Sequence, residues 1–298
     1  MKCGYCTILG RPNVGKSTLI NALLSKKISI VTPKAQTTRD DVLGIYHEKD
    51  FEIIFIDTPG LCEGKEALYE AMNRSARRSL SDVDVALYVI DASEENFQKD
   101  DEILASLKMN CPRILVLNKI DLATAPMMEA LKEHCQSFYP KDTIVEASAF
   151  TNFGLKEIKD AVKHFLPEGE AYYPEDMVTD KDGSFMAKEV IREQLLHFLK
   201  EEVPHECAVT VDSFETKKES TTIHATIVCE KENQKAIIIG KDGVMIKRIS
   251  MTARRNLEKM WNRHVALYLK VLCVPNWRND PRKLQLVGYG ERHGQGDD

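Results

Sequence analysis

The chain has 298 residues, 43% of them apolar and 29% charged, with a formal net charge of −5, an ordinary globular mix able to fill one large or two ordinary cores. No apolar run reaches about 18 residues, which excludes a membrane-spanning helix. The first strand begins so near Met1 that no signal peptide is expected, which makes the cytoplasm the expected compartment.

Eight cysteines include one C-x-x-C, Cys3 and Cys6, without a second Cys/His pair of matching spacing. Reduced thiols are expected rather than a zinc site. Charge is uneven. Residues 1–180 carry a net −8, residues 181–298 a net +3, and residues 235–263 hold eight basic side chains against two acidic ones. That asymmetry points to a polyanion partner for the second half.

In chain order, Tyr5 to Leu9 reads as a short buried strand and Ser17 to Leu24 as a helix with one apolar face. Between them lies Gly10-Arg11-Pro12-Asn13-Val14-Gly15-Lys16-Ser17, which fits G-x-x-x-x-G-K-[ST]. Its amides and the following helix N-terminus, with Thr18, make an anion cradle. Lys16 is expected on the β- and γ-phosphates and Ser17 on Mg²⁺. Val31 to Gly44 is a polar segment in which Thr38 is the expected Mg²⁺-sensing residue. Phe51 to Ile56 reads as a strand ending in Asp57-Thr58-Pro59-Gly60. Asp57 would hold the metal through water, and the Gly60 amide would meet the γ-phosphate. Lys16, Thr38 and Gly60 are thus the catalytic candidates. A helix over 66–80, a strand over 83–90, a helix over 98–109 and a strand over 113–117 follow.

The last of these strands ends in Asn118-Lys119-Ile120-Asp121. One carboxylate accepts the paired N1–H and N2–H₂ donors of guanine, and adenine lacks them. Asp121 is the base reader, Asn118 the brace, and the Lys119 stem lies along the ring. A strand over 143–146 precedes Ser148-Ala149, whose backbone amide meets guanine O6. A helix over 155–166 closes this half. Strands alternating with helices, ligand groups at the strand ends, predict a doubly wound, mostly parallel α/β sheet.

An acidic, proline-bearing stretch over 167–183 reads as a linker. A helix over 185–202, strands over 208–213 and 221–230 joined by a charged turn, and a short apolar helix lead to Gly240-Lys241-Asp242-Gly243. A further helix and a strand over 267–273 follow. Two glycines let backbone nucleotides lie against such a loop, and Lys241 neutralises a phosphate. Ile239, Gly240, Lys241, Asp242, Gly243, Lys247, Arg248 and Arg255 are the RNA candidates. Ile237, Ile238, Val244 and Ile246 are expected to line the groove with Ile239. Basic residues on the last long helix would add salt-dependent phosphate contacts, or touch anionic lipid instead.

With one phosphate loop, one N-K-x-D and one G-x-x-G, and the words T-T-R-D, D-T-P-G and N-W-R, the chain resembles the Era family of bacterial translation-factor-type GTPases. The resemblance spans essentially the whole chain. It implies a P-loop GTPase domain over 1–167, a linker over 168–183, and an α+β type II KH domain with its tail over 184–298. It also implies slow GTP hydrolysis to GDP, binding of the 3′ end of 16S rRNA, and assistance to assembly of the 30S subunit and to rRNA processing. DNA is not an expected partner, and the chain is expected to be a monomer. Peripheral attachment at the inner face of the cell membrane belongs to the same family picture. Ras-like proteins place a water-orienting glutamine where this chain has Leu61. In related enzymes the asparagine matching Asn13 helps hold a potassium ion that replaces an arginine finger. The second reading is a non-enzymatic RNA-binding protein that uses nucleotide as a structural ligand; the third, an RNA-remodelling ATPase, is opposed by Asp121.

Overall fold

The computed structural model describes residues 1–289 apart from Pro33, Ala35, Gln36, 60–65, 79–82 and Lys108. The chain divides into two compact units, one of residues 1–62 and 72–180, the other of residues 63–71 and 181–298.

In the first unit, β1 (Lys2–Leu9) leads through the phosphate loop into α1 (Lys16–Leu24). β2 (Val42–Glu48) and β3 (Phe51–Asp57) form a hairpin. The helix α2 (Ala67–Arg78) follows, then β4 (Val85–Asp91), α3 (Gln98–Ser106), β5 (Arg113–Asn118), α4 (Ala125–Phe138), β6 (Thr143–Glu146) and α5 (Leu155–Phe165). The sheet order is β2-β3-β1-β4-β5-β6. Only the β2–β3 pair is antiparallel. All seven residues of β4 are buried, as expected of a strand covered on both faces. Strand order runs outward from β1 in both directions, so the switch point lies between β1 and β4. β1, β3, β4, β5 and β6 run parallel and end at the same edge of the sheet, where such folds bind ligands.

Two elements here differ from the sequence reading. β2, whose residues 42–44 fall in the segment read as polar, was not anticipated as a strand, and α4 was not anticipated either. Gly44 lies in β2 because α1 presses on it. A Cβ there would meet Leu24, Ile28 and Ile20 side chains at 2.6 to 3.0 Å.

The stretch after α5 is not free chain. Ile45 N donates to Val178 O at 2.8 Å, Gly44 bridges Thr179 antiparallel, and Leu43 N donates to Asp180 Oδ1 at 3.0 Å. Residues 178–180 therefore strap the outer edge of β2. Glu52 of β3, fully buried, accepts the Tyr172 and Tyr173 amides and faces His47.

In the second unit, α6 (Gly183–Phe198), β7 (Ala208–Thr216), β8 (Ser220–Cys229), α7 (Glu232–Ile239), α8 (Val244–Trp261) and β9 (His264–Cys273) precede a short α9 (Pro281–Leu286). The sheet order is β7-β8-β9, antiparallel then parallel. Ala187, Val190, Ile191 and Leu195 of α6 and Ile249, Ala253 and Leu257 of α8 cover one face. α6 begins two residues before the expected 185 and ends four before the expected 202, where Leu199 turns to extended backbone.

Candidate functional site

The phosphate loop turns on left-handed residues, Gly10 (φ 139), Asn13 (φ 66) and Gly15 (φ 102). Side chains fasten its carbonyls. Lys16 Nζ donates to Gly10 O at 2.9 Å and Arg11 O at 2.8 Å. Lys119 Nζ donates to Asn13 O at 2.7 Å, and Asn118 Nδ2 to Val14 O at 2.8 Å. With these carbonyls engaged by side chains, the loop amides are the donors left for an anion.

A cavity of about 350 Å³ opens over this loop, lined among others by Pro12, Asn13, Lys16, Ser17 and Thr38. A second, of about 370 Å³, is lined by Asn118, Asp121, Leu122, Ala149 and Phe150. Gly15, Thr18 and Lys119 belong to both walls. Gly10, Arg11, Val14, Asp57 and Ser148 do not line either cavity.

Ser17 Oγ and Thr38 Oγ1 are 2.8 Å apart. Asp57 at the end of β3 is fully buried, and among the described residues neither of its carboxylate oxygens has a hydrogen-bond partner. Burial pushes its pKa above the ordinary value, against the pull of Ser29, Lys16 and Ser17 close by. Two hydroxyls and an unsatisfied buried carboxylate are hard oxygen donors, and they fit Mg²⁺. Gly60, and Leu61 after it, lie outside the described residues.

At the base end, Ser148 Oγ donates to Asp121 Oδ1 at 2.5 Å. The Ala149 amide donates to Asn118 Oδ1 at 3.0 Å. Asn118 thus ties the phosphate loop to the loop after β6. Lys119, with φ 65, also pairs with Asp91 at the end of β4. Sequence reasoning did not single out Phe150 and Leu122, 84% and 65% exposed beside the base cavity, or Ile30, Val31 and Thr32 in the other wall. The available signal was large apolar residues in polar loops next to the motifs.

In the second unit, Gly240 (φ 73), Asp242 (φ 53) and Gly243 (φ 74) turn the chain between α7 and α8. Lys241, Asp242, Lys247, Arg248 and Arg255 are exposed to differing degrees, and Ile239 partly so. The Arg248 guanidinium lies 4.3 Å from the Phe198 ring centroid, a cation–π contact. The apolar run divides: Ile237 and Val244 are 48% and 67% exposed, but Ile238 is a core residue at 0%. Ile238 therefore cannot line the groove. In a helix its neighbours point about 100° to either side, so one face of α7 packs while the next meets solvent.

Comparison with known proteins bears on both halves. Residues 5–119 match the family of 50S ribosome-binding GTPases, and residues 202–278 match the KH domain family. The GTPase Era of Caldicellulosiruptor saccharolyticus is 44% identical over 97% of this chain and 97% of its own. Among solved structures, a single-residue variant of Aquifex aeolicus Era bound to GDP and AlF4⁻ superposes with a TM-score of 0.93 at 40% identity, over 98% of this chain and all of that one. An Era in complex with MgGDPNP and nucleotides 1506–1542 of 16S ribosomal RNA superposes at 0.92, with the same identity and coverage.

Proposed function

The chain belongs to the Era family of GTPases, and from that premise we propose that its first unit binds guanine nucleotide with Mg²⁺ and hydrolyses GTP slowly, while its second binds the 3′ end of 16S rRNA in support of 30S subunit assembly. One observation carries the nucleotide half: the Asp121 carboxylate, fastened by Ser148, faces a cavity that shares Gly15, Thr18 and Lys119 with the cavity over Lys16 and Ser17. Lys16 takes the β- and γ-phosphates, and Asp121 accepts the two guanine donors. Ser17, Thr38 and Asp57 hold Mg²⁺, which neutralises phosphate charge when bound. Asn13 is the residue proposed to meet a potassium ion.

On the RNA half, Gly240 to Gly243 receive the backbone, and Lys241, Lys247, Arg248 and Arg255 its phosphates. The setting is the cytoplasm; among the described residues no helix is long and apolar enough to cross a membrane.

Competition of GDP, ADP and XDP against a fluorescent GDP tests the base reading. GDP should win over ADP by roughly 100-fold or more, and Asp121→Asn should move the preference toward xanthine. Unchanged guanine preference in that variant removes Asp121 from its role. A labelled oligomer of the rRNA 3′ end, titrated with GTP analogue, GDP or no nucleotide, tests the second half. Binding that survives Gly240→Asp with Gly243→Asp would overturn the RNA assignment.

A further inference from the structure

Two side chains that fasten the phosphate loop, Lys16 and Lys119, are those that a bound nucleotide would engage. A loop held by these alone would lose its fastening on loading. Arg11 provides a different anchorage. Its Nε donates to Asp100 Oδ2 at 2.9 Å while a terminal nitrogen reaches Glu94 at 2.6 Å. Glu94 is 46% exposed and adds little. Asp100, on α3, is 1% exposed. Its other oxygen accepts the hydroxyl of Tyr88, a fully buried residue of β4, at 3.0 Å. Both carboxylate oxygens are thus partnered, which makes the geometry rigid and a charge-assisted hydrogen bond worthwhile. Burial raises the Asp100 pKa above its ordinary value, against the pull of the Arg11 and Tyr88 bonds.

We infer that Asp100 is a positioning residue for nucleotide binding: through Arg11 it holds the Gly10–Asn13 backbone in the shape that offers its amides to phosphate, by contacts that the ligand does not take. Arg11 then serves as an anchor rather than as a cation offered to phosphate. The inference rests on the guanine-nucleotide reading above. No motif contains Asp100, which lies 89 residues from Arg11 in the chain.

The test is release of fluorescent GDP in the presence of Mg²⁺ from the full chain, with thermal unfolding of the nucleotide-free protein in parallel. Variants are Arg11→Ala, Asp100→Ala, Asp100→Asn, Tyr88→Phe and the Arg11→Ala/Asp100→Ala pair. Each alanine variant should release GDP about 5- to 30-fold faster, and the double variant no faster than the quicker single one. Tyr88→Phe, which removes only a hydroxyl, should accelerate release by roughly 2- to 4-fold. If Asp100→Ala does not fold, Asp100→Asn and Tyr88→Phe carry the test. Release within twofold of wild type for the alanine variants, or singles that multiply in the double variant, overturns the inference. So does a change confined to unfolding temperature, which marks a purely structural ion pair. Wild type that binds no GDP overturns the nucleotide reading itself, and this inference with it.

Discussion

Gly240 and Gly243 share almost the same φ, 73° and 74°, but Gly240 has ψ 168° and Gly243 ψ 12°, and their surroundings differ as well. A Cβ on Gly240 would lie 2.7 Å from the Met245 Cβ and 2.9 Å from its amide nitrogen, whereas one on Gly243 would meet nothing within 4 Å. Alanine at 243 bears only the left-handed strain of about 1–2 kcal/mol. Alanine at 240 adds an overlap with backbone that cannot rotate away, so roughly 2–4 kcal/mol is expected. Urea unfolding of the two single variants checks the order. Asp57 makes a second contrast. Its raised pKa means that the folded chain binds this proton more tightly than the unfolded chain does, so stability from this group is lost as pH rises through the folded value. At neutral pH, without Mg²⁺ or nucleotide, Asp57→Asn should therefore raise the unfolding temperature by about 2–4 °C. The same variant should lose most of the stabilisation that Mg²⁺ and GDP give wild type. At this scale the sequence was informative where spacing repeats a chemical demand, as at Lys16 or Asp121. It was silent on Phe150 and Leu122, because an apolar residue in a loop carries no period. In Ile237-Ile238-Ile239 every position is apolar, so only packing separates the buried one from its neighbours.

Among the elements, the strap over β2 left no mark on composition. Acidic, proline-bearing residues without period read as a linker, and some of them also satisfy an edge strand by hydrogen bonding that leaves no pattern in side-chain polarity. β2 itself was obscured because Gly44, a residue depleted in strands, stands in its middle. The unforeseen α4 buries only Leu131 and Cys135 among its described apolar positions, a weak stripe behind a motif-rich loop. The strands β1, β3, β4 and β5 were legible as continuous apolar runs because the sheet is covered on both sides. Glu52 holds the chain just before the strap, accepting the Tyr172 and Tyr173 amides. Glu52→Ala leaves two amides and His47 without their acceptor in a buried place, at about 2–3 kcal/mol. Hydrogen exchange should show the Tyr172, Tyr173 and Ile45 amides losing protection together. Protection kept at Ile45 would mean that the strap holds without Glu52.

For the whole molecule, the second unit turns on one guanidinium. Arg278, 9% exposed, donates to Glu66 at 2.9 and 3.1 Å, to Glu206 at 2.9 Å and to Glu230 at 2.9 Å. Arg278→Ala leaves three carboxylates facing one another, and a loss of about 3–5 kcal/mol is expected. The measurement is simple to read, since both tryptophans, Trp261 and Trp277, belong to the second unit. Tryptophan fluorescence in urea therefore follows that unit alone. A midpoint within error of wild type would count against the cluster as a stabilising element. Residues 63–71, which include Glu66, belong to the unit that otherwise begins at Lys181. Leu68 among them is 1% exposed, and its amide donates to the Arg278 carbonyl. Gene recombination that joined a foreign sequence at the linker would exchange an incomplete body, short of a segment encoded far upstream. Inheritance of the two halves is coupled through that insertion, and lineages are expected to keep them together or lose them together.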